Sequence, residues 1–111
     1  MSDIIQTIDL PPQKGFDLKL KALIEWERIE NLFPDDTEEQ ISEIYHKINT
    51  GEWIYFCAQV VAYKNGVKLG TDYLVGCLYE SLEQFQDDGG YIDDMIENVI
   101  SESKKIIKSL A

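Results

Sequence analysis

The chain is short of basic residues, has one histidine and two cysteines, and has no long apolar run. Ten lysines and arginines stand against 21 aspartates and glutamates, a formal charge of −11 on 111 residues. Such a chain repels phosphates and anionic membrane surfaces, because like charges raise the energy of close approach. Direct binding to nucleic acid or lipid is therefore not expected, and a basic protein surface is the expected partner. The apolar runs, such as Tyr55-Phe56-Cys57-Ala58, fall far below the ~20 residues of a membrane span. Met1-Ser2-Asp3-Ile4-Ile5 lacks the basic region and apolar stretch of a signal peptide, so the expected compartment is the cytoplasm. Cys57 and Cys77 fit that compartment as free thiols.

Chemistry-bearing motifs are missing as well. The single histidine, His46, falls on the polar side of a helical segment, and no metal-ligand or EF-hand spacing is present. No Cys–His arrangement suggests a nucleophile. Gly89-Gly90 stands before a helix, but acids on both sides oppose an anion there. The pairs Asp35-Asp36, Asp87-Asp88 and Asp93-Asp94 lie in loops or first helical turns, where turn formation and capping explain them. No cofactor and no enzymatic activity is expected.

What is present is a foldable chain. Apolar residues make up 44% of it. One domain of this length buries roughly 65% of its unfolded surface, enough for one core. Residues 1–16 read as a weakly ordered lead-in or a short edge strand that Pro11-Pro12 stops, and residues 17–111 as a single domain. From 17 to 29, Leu18, Leu20, Ala22, Ile24 and Trp26 alternate with charged residues, which argues a half-buried strand. Helical spacing of Ala22, Trp26, Ile29 and Phe33 competes with that reading. Pro34 ends the segment. A capping box of Thr37 or Asp36 with Gln40 or Glu39 opens a helix. Its expected buried stripe is Ile41, Ile44, Tyr45 and Ile48, and Gly51 is its stop.

Asn65-Gly66 predicts a type I′ turn joining strands 53–64 and 67–79. With an unbroken ladder, Ile54 faces Cys77, Phe56 faces Val75, Ala58 faces Tyr73, Val60 faces Thr71 and Ala62 faces Leu69. That face is apolar and is assigned to the core. Trp53, Tyr55 and Tyr63 then point to the opposite face, and Cys57 and Cys77 point apart and cannot bridge. Gly70 and Gly76 are candidate bulges. Residues 80–90 read as a loop. Tyr91 to Leu110 is the clearest helix, with Ile92, Met95, Ile96, Val99, Ile100, Ser103, Ile106, Ile107 and Leu110 on one face.

The run from Gly66-Val67-Lys68-Leu69-Gly70-Thr71-Asp72 through Gly76-Cys77, followed by Gly90-Tyr91-Ile92-Asp93-Asp94-Met95, resembles small bacterial proteins of plasmids and prophages. They share a GVxLGSDxLxGC hairpin and a GY…DM helix. The resemblance spans about residues 50–110 and implies association with mobile elements. It transfers no site residue.

The expected fold is α+β: a mainly antiparallel three- to four-stranded sheet with two helices on one face, in the order β-α-β-β-α. Residues 80–97 hold seven acids and no base, and residues 25–43 hold eight acids against Arg28 alone. Such clustering raises self-repulsion in the folded state. The expected function is a non-enzymatic acidic binding protein, of the anti-restriction or anti-CRISPR kind, docking on a basic nucleic-acid-binding surface such as a nuclease's. Asp35, Asp36, Glu38, Glu39, Asp87, Asp88, Asp93 and Asp94 would carry the charge, and Trp53, Tyr55 and Tyr63 would serve as aromatic anchors. An immunity-type protein neutralising one toxin and a structural homodimer are the alternatives.

Overall fold

The computed structural model describes residues 3–88 and 90–110. Four strands form one antiparallel sheet in the order β1-β2-β3-β4: β1 (Ile4–Gln13), β2 (Phe16–Ile24), β3 (Ile54–Lys64) and β4 (Val67–Tyr79). Between β2 and β3 lie α1 (Ile29–Leu32) and α2 (Glu38–Asn49). After β4 come α3 (Leu82–Asp87) and α4 (Gly90–Leu110). The α+β class is as expected, and the element order is β-β-α-α-β-β-α-α.

The period-2 pattern in β2 buries Leu18, Leu20 and Ala22. Trp26 departs from that expectation. It lies past the end of β2 and is 79% exposed, because the chain leaves the sheet after Ile24. β1 is a ten-residue edge strand. It runs through Pro11-Pro12, and a register shift between Leu10 and Gln13 absorbs the prolines. An edge strand tolerates their missing N–H groups. The β1–β2 turn puts Lys14 and Gly15 at φ +53° and +83°, the same left-handed pair that Asn65 (+52°) and Gly66 (+79°) adopt between β3 and β4.

The β3–β4 ladder keeps the expected register only near its turn, at Tyr63↔Lys68 and Lys64↔Val67. One shift between Val61 and Tyr63 sets Leu69 and Gly70 opposite Ala62, and a second between Phe56 and Ala58 sets Val75 and Gly76 opposite Cys57. Both bulges contain the glycines marked in the sequence. Each slip exchanges the faces of the residues beyond it. Leu74 therefore packs on the core, while Tyr73 (53% exposed) and Val75 (63%) turn out to solvent. The two slips together restore the alternation at Cys77, which pairs with Phe56 in the core.

α4 covers the core face. Ile92, Met95, Ile96, Val99, Ile100 and Ser103 are buried there, as the helical pattern predicts. It comes closest at Gly70, whose N–H donates to Ser103 Oγ at 2.9 Å. The segment expected as a loop contains α3. Ser81 caps it, accepting from Gln84 N–H at 3.0 Å, and Leu82 and Phe85 are buried.

The helices do not all share one face. Ile29 of α1 is buried outside the main core, and Leu32 lies over Gly76, where any side chain would meet it. Leu23 and Cys57 are buried with the same outward alternation, so α1 caps one end of the second face. α2 has the expected capping box, with Gln40 N–H to Thr37 Oγ1 at 3.2 Å and Thr37 N–H to Gln40 Oε1 at 2.8 Å. Gly51 ends it at φ +82°. Its stripe is only half-buried and no residue of α2 is fully buried, since the helix packs chiefly on short α1 rather than on the sheet.

Candidate functional site

The strand directions dictate where charge collects. Both tight turns lie at one end of the sheet. The β2–β3 connection and the end of β4 lie at the other. The segments 25–52 and 80–97 hold sixteen of the 21 acidic residues and only Arg28 and Lys47 among the bases. Lys14, Lys64 and Lys68 stand at or beside the turns, and Lys104, Lys105 and Lys108 end α4. The molecule measures 55 × 27 × 22 Å, and the charges are unevenly shared among its elements, although Lys14 lines one pocket with Asp93 and Glu97.

An apolar cleft of about 280 Å³ opens at the β4 edge, lined by Phe33, Val75, Gly76, Leu78 and Tyr91, among others. In sequence Phe33 lies one proline before Asp35 and Asp36, and Tyr91 stands between Asp87-Asp88 and Asp93-Asp94. Val75 and the 54%-exposed Tyr91 give this cleft an open apolar lining. Aromatic stacking positions it: Tyr91 lies parallel to Phe85, 6.5 Å between ring centres, and Phe85 meets Tyr79 edge-on at 5.2 Å. Glu25 ties the far side together. Its carboxylate accepts from Gly76 N–H at 2.6 Å, and from the N–H groups of Trp26 and Glu27.

Each candidate residue has a definite place. Asp35 is exposed in the turn before α2 and Asp36 half-buried beside it; Glu38 and Glu39 are exposed in the first turn of α2. Asp87 ends α3, and Asp88 accepts from Tyr79 Oη at 3.2 Å. Asp93 and Asp94 are exposed on α4. The aromatics are more engaged than the sequence suggests. Lys47 sits 4.3 Å over the Trp53 ring. Tyr55 donates to the Glu27 carbonyl at 2.8 Å, and Tyr63 accepts from Lys21 Nζ at 3.0 Å. All three are half-buried, because α1, α2 and lysine stems lean on that face of the sheet. They are spread along β3 and do not join the β4-edge cleft.

Burial, with the Glu25 and Glu27 charges, pushes the Tyr55 hydroxyl up to about 12. Burial likewise pushes the Cys77 thiol up to about 11 and raises that of Cys57. Both cysteines are therefore protonated free thiols at neutral pH. His46 is exposed in the last turn of α2. Among the described residues no cluster of histidine, cysteine and carboxylates could hold a metal ion, and no helix is long and apolar enough to cross a membrane. Gly89 of the Gly89-Gly90 pair lies outside the described residues. The cleft residues Phe33, Val75 and Tyr91 escape sequence reasoning, because the slip that turns Val75 outward leaves only Gly70 as a signal. Comparison of the chain with family models, with curated proteins and with solved structures finds no match.

Proposed function

We propose that this protein is a non-enzymatic, cytoplasmic binding module that docks its acidic end on a basic surface of another protein. The observation that carries the reading is the β4-edge cleft, an open apolar strip of Phe33, Val75 and Tyr91, whose residues lie close in sequence to Asp35-Asp36 and to Asp87, Asp88, Asp93 and Asp94. Apolar contact supplies affinity at the centre of such a patch, and rim charges supply encounter rate and selection of partner. A nucleic-acid-binding groove, as in a nuclease, presents the complementary chemistry. The resemblance of the Gly66–Cys77 hairpin to plasmid and prophage proteins is in keeping with a mobile-element inhibitor. An immunity-type protein would use the same surface against a toxin. A homodimer through Trp53 and Tyr55 is less favoured, since both rings already have partners within the chain.

The test is capture of partners at low salt and again at roughly 0.5 M salt, where the Debye length falls to about 4 Å. The expected outcome is a basic partner held at low salt and lost at high salt. Replacing Asp87, Asp88, Asp93 and Asp94 by Asn should weaken that complex by more than about tenfold with the fold intact. Retention of full affinity by the four-residue variant would sink the reading.

A further inference from the structure

The apolar stripe of α4 does not end where its support ends. Ser103 is fully buried against β4, yet Ile107 is 36% and Leu110 79% exposed one and two turns further on. Lys104, Lys105 and Lys108 surround those two residues and are exposed. Residues 104–110 thus form about 10 Å of basic amphipathic helix with an uncovered apolar face.

A matching surface lies at the other end of the molecule. Between α1 and α2 runs a groove of about 550 Å³. Phe33, Pro34, Ile41 and Tyr45 give it an apolar lining, and Glu30, Asp36 and Glu38 stand on its rim. Arg28 is also there, but it is paired with Glu30 at 2.9 Å. The Tyr45 hydroxyl donates to the same Glu30, which fixes the ring at the groove wall. Ile41 is half-buried and Tyr45 is 38% exposed, so helix α2 leaves this wall open.

We infer that the α1–α2 groove receives the end of α4 from a second copy of this chain. Ile107 and Leu110 would seat against Phe33, Ile41 and Tyr45, and Lys105 and Lys108 would face Asp36 and Glu38. This is helix-in-groove recognition with complementary charge. Groove and helix end belong to opposite ends of the molecule. Two copies lying antiparallel therefore make the contact twice, and a twofold dimer closes without open ends. The contact shares Phe33 and Asp36 with the partner-docking face, so self-association and partner binding compete. It does not rest on the partner reading, and the cleft acids Asp87, Asp88, Asp93 and Asp94 take no part in it.

Sedimentation equilibrium of the full chain at roughly 50 mM and 500 mM salt tests the proposal. A dimer at low salt whose dissociation constant rises at least about tenfold at high salt is expected. Leu110→Asp and Tyr45→Ser should each weaken it by a similar factor, with circular dichroism unchanged because both positions are exposed. The pair Lys105→Glu and Lys108→Glu should dissociate the dimer, and adding Asp36→Lys and Glu38→Lys should restore it. A monomer at millimolar concentration in low salt overturns the proposal. So does a dimer that ignores Leu110→Asp or Tyr45→Ser, which would place the contact on another face.

Discussion

Cys77 shows how one side chain in this sheet acquires a solution property. It is 4% exposed beside Phe56, and its thiol donates to the Leu74 carbonyl at 3.2 Å. Burial lifts its pKa from 9.0 to about 11. The unfolded chain therefore releases this proton at lower pH than the folded one. Stability from Cys77 is complete below pH 9 and is lost as pH rises towards 11, by about 2–3 kcal/mol. The Tyr55 hydroxyl shifts in the same direction and adds to the loss at higher pH. Urea midpoints between pH 8 and 11 should fall for the native chain and fall less for Cys77→Ala, measured against each protein's own value at pH 8. Equal slopes would contradict the assignment. The cysteine was readable in the sequence as a buried thiol on the core face, but its partner was not. The expected partner is Ile54, and the bulges at Gly70 and Gly76 together deliver Phe56 instead.

At the scale of elements, the signals that were legible are those in which one local rule acts without competition. The Thr37–Gln40 box, the Asn65-Gly66 turn, the Gly51 stop and the α4 stripe each rest on a single local geometry. Elements decided by long-range packing were hidden. Lys14-Gly15 gives no strong turn signal because lysine rarely adopts positive φ, so the β1–β2 hairpin was missed. α2 carries a stripe like a core helix, yet the second face of the sheet is already taken by α1 and by lysine stems. The acidic residues are legible in the sequence, but the apolar cleft at the β4 edge depends on two bulges and on α1 crossing to Gly76. The bulge at Gly70 is the sharpest of these devices. A Cβ there would stand 2.4 Å from the Val99 carbonyl oxygen and 2.8 Å from Ser103 Oγ. Backbone cannot swing aside, so Gly70→Ala should cost about 3 kcal/mol, at the top of the overpacking range. Denaturant unfolding with an unchanged m-value checks this. A loss below about 1 kcal/mol would mean that α4 shifts freely on the sheet.

For the whole molecule, charge is weakly compensated. Three ion pairs occur among the described residues: Lys19–Asp9 at 3.4 Å, Arg28–Glu30 at 2.9 Å and Lys47–Glu43 at 4.0 Å. Such surface pairs contribute little, and most of the 21 acids face solvent and each other. Added salt should therefore stabilise the fold by screening self-repulsion. The midpoint of thermal unfolding is expected to rise by about 5 °C between low and moderate salt, equivalent to roughly 1 kcal/mol. A flat or falling midpoint would show that the acids are already neutralised within the fold. The gathering of sixteen acids in the segments 25–52 and 80–97 has a further consequence. Charge so unevenly distributed gives the molecule a dipole moment, and a dipole in the field of a positive surface feels a torque before it feels contact. The protein would turn acid-end first while still a Debye length away, so the face that collides is selected during approach and much of the orientational search is already over at encounter.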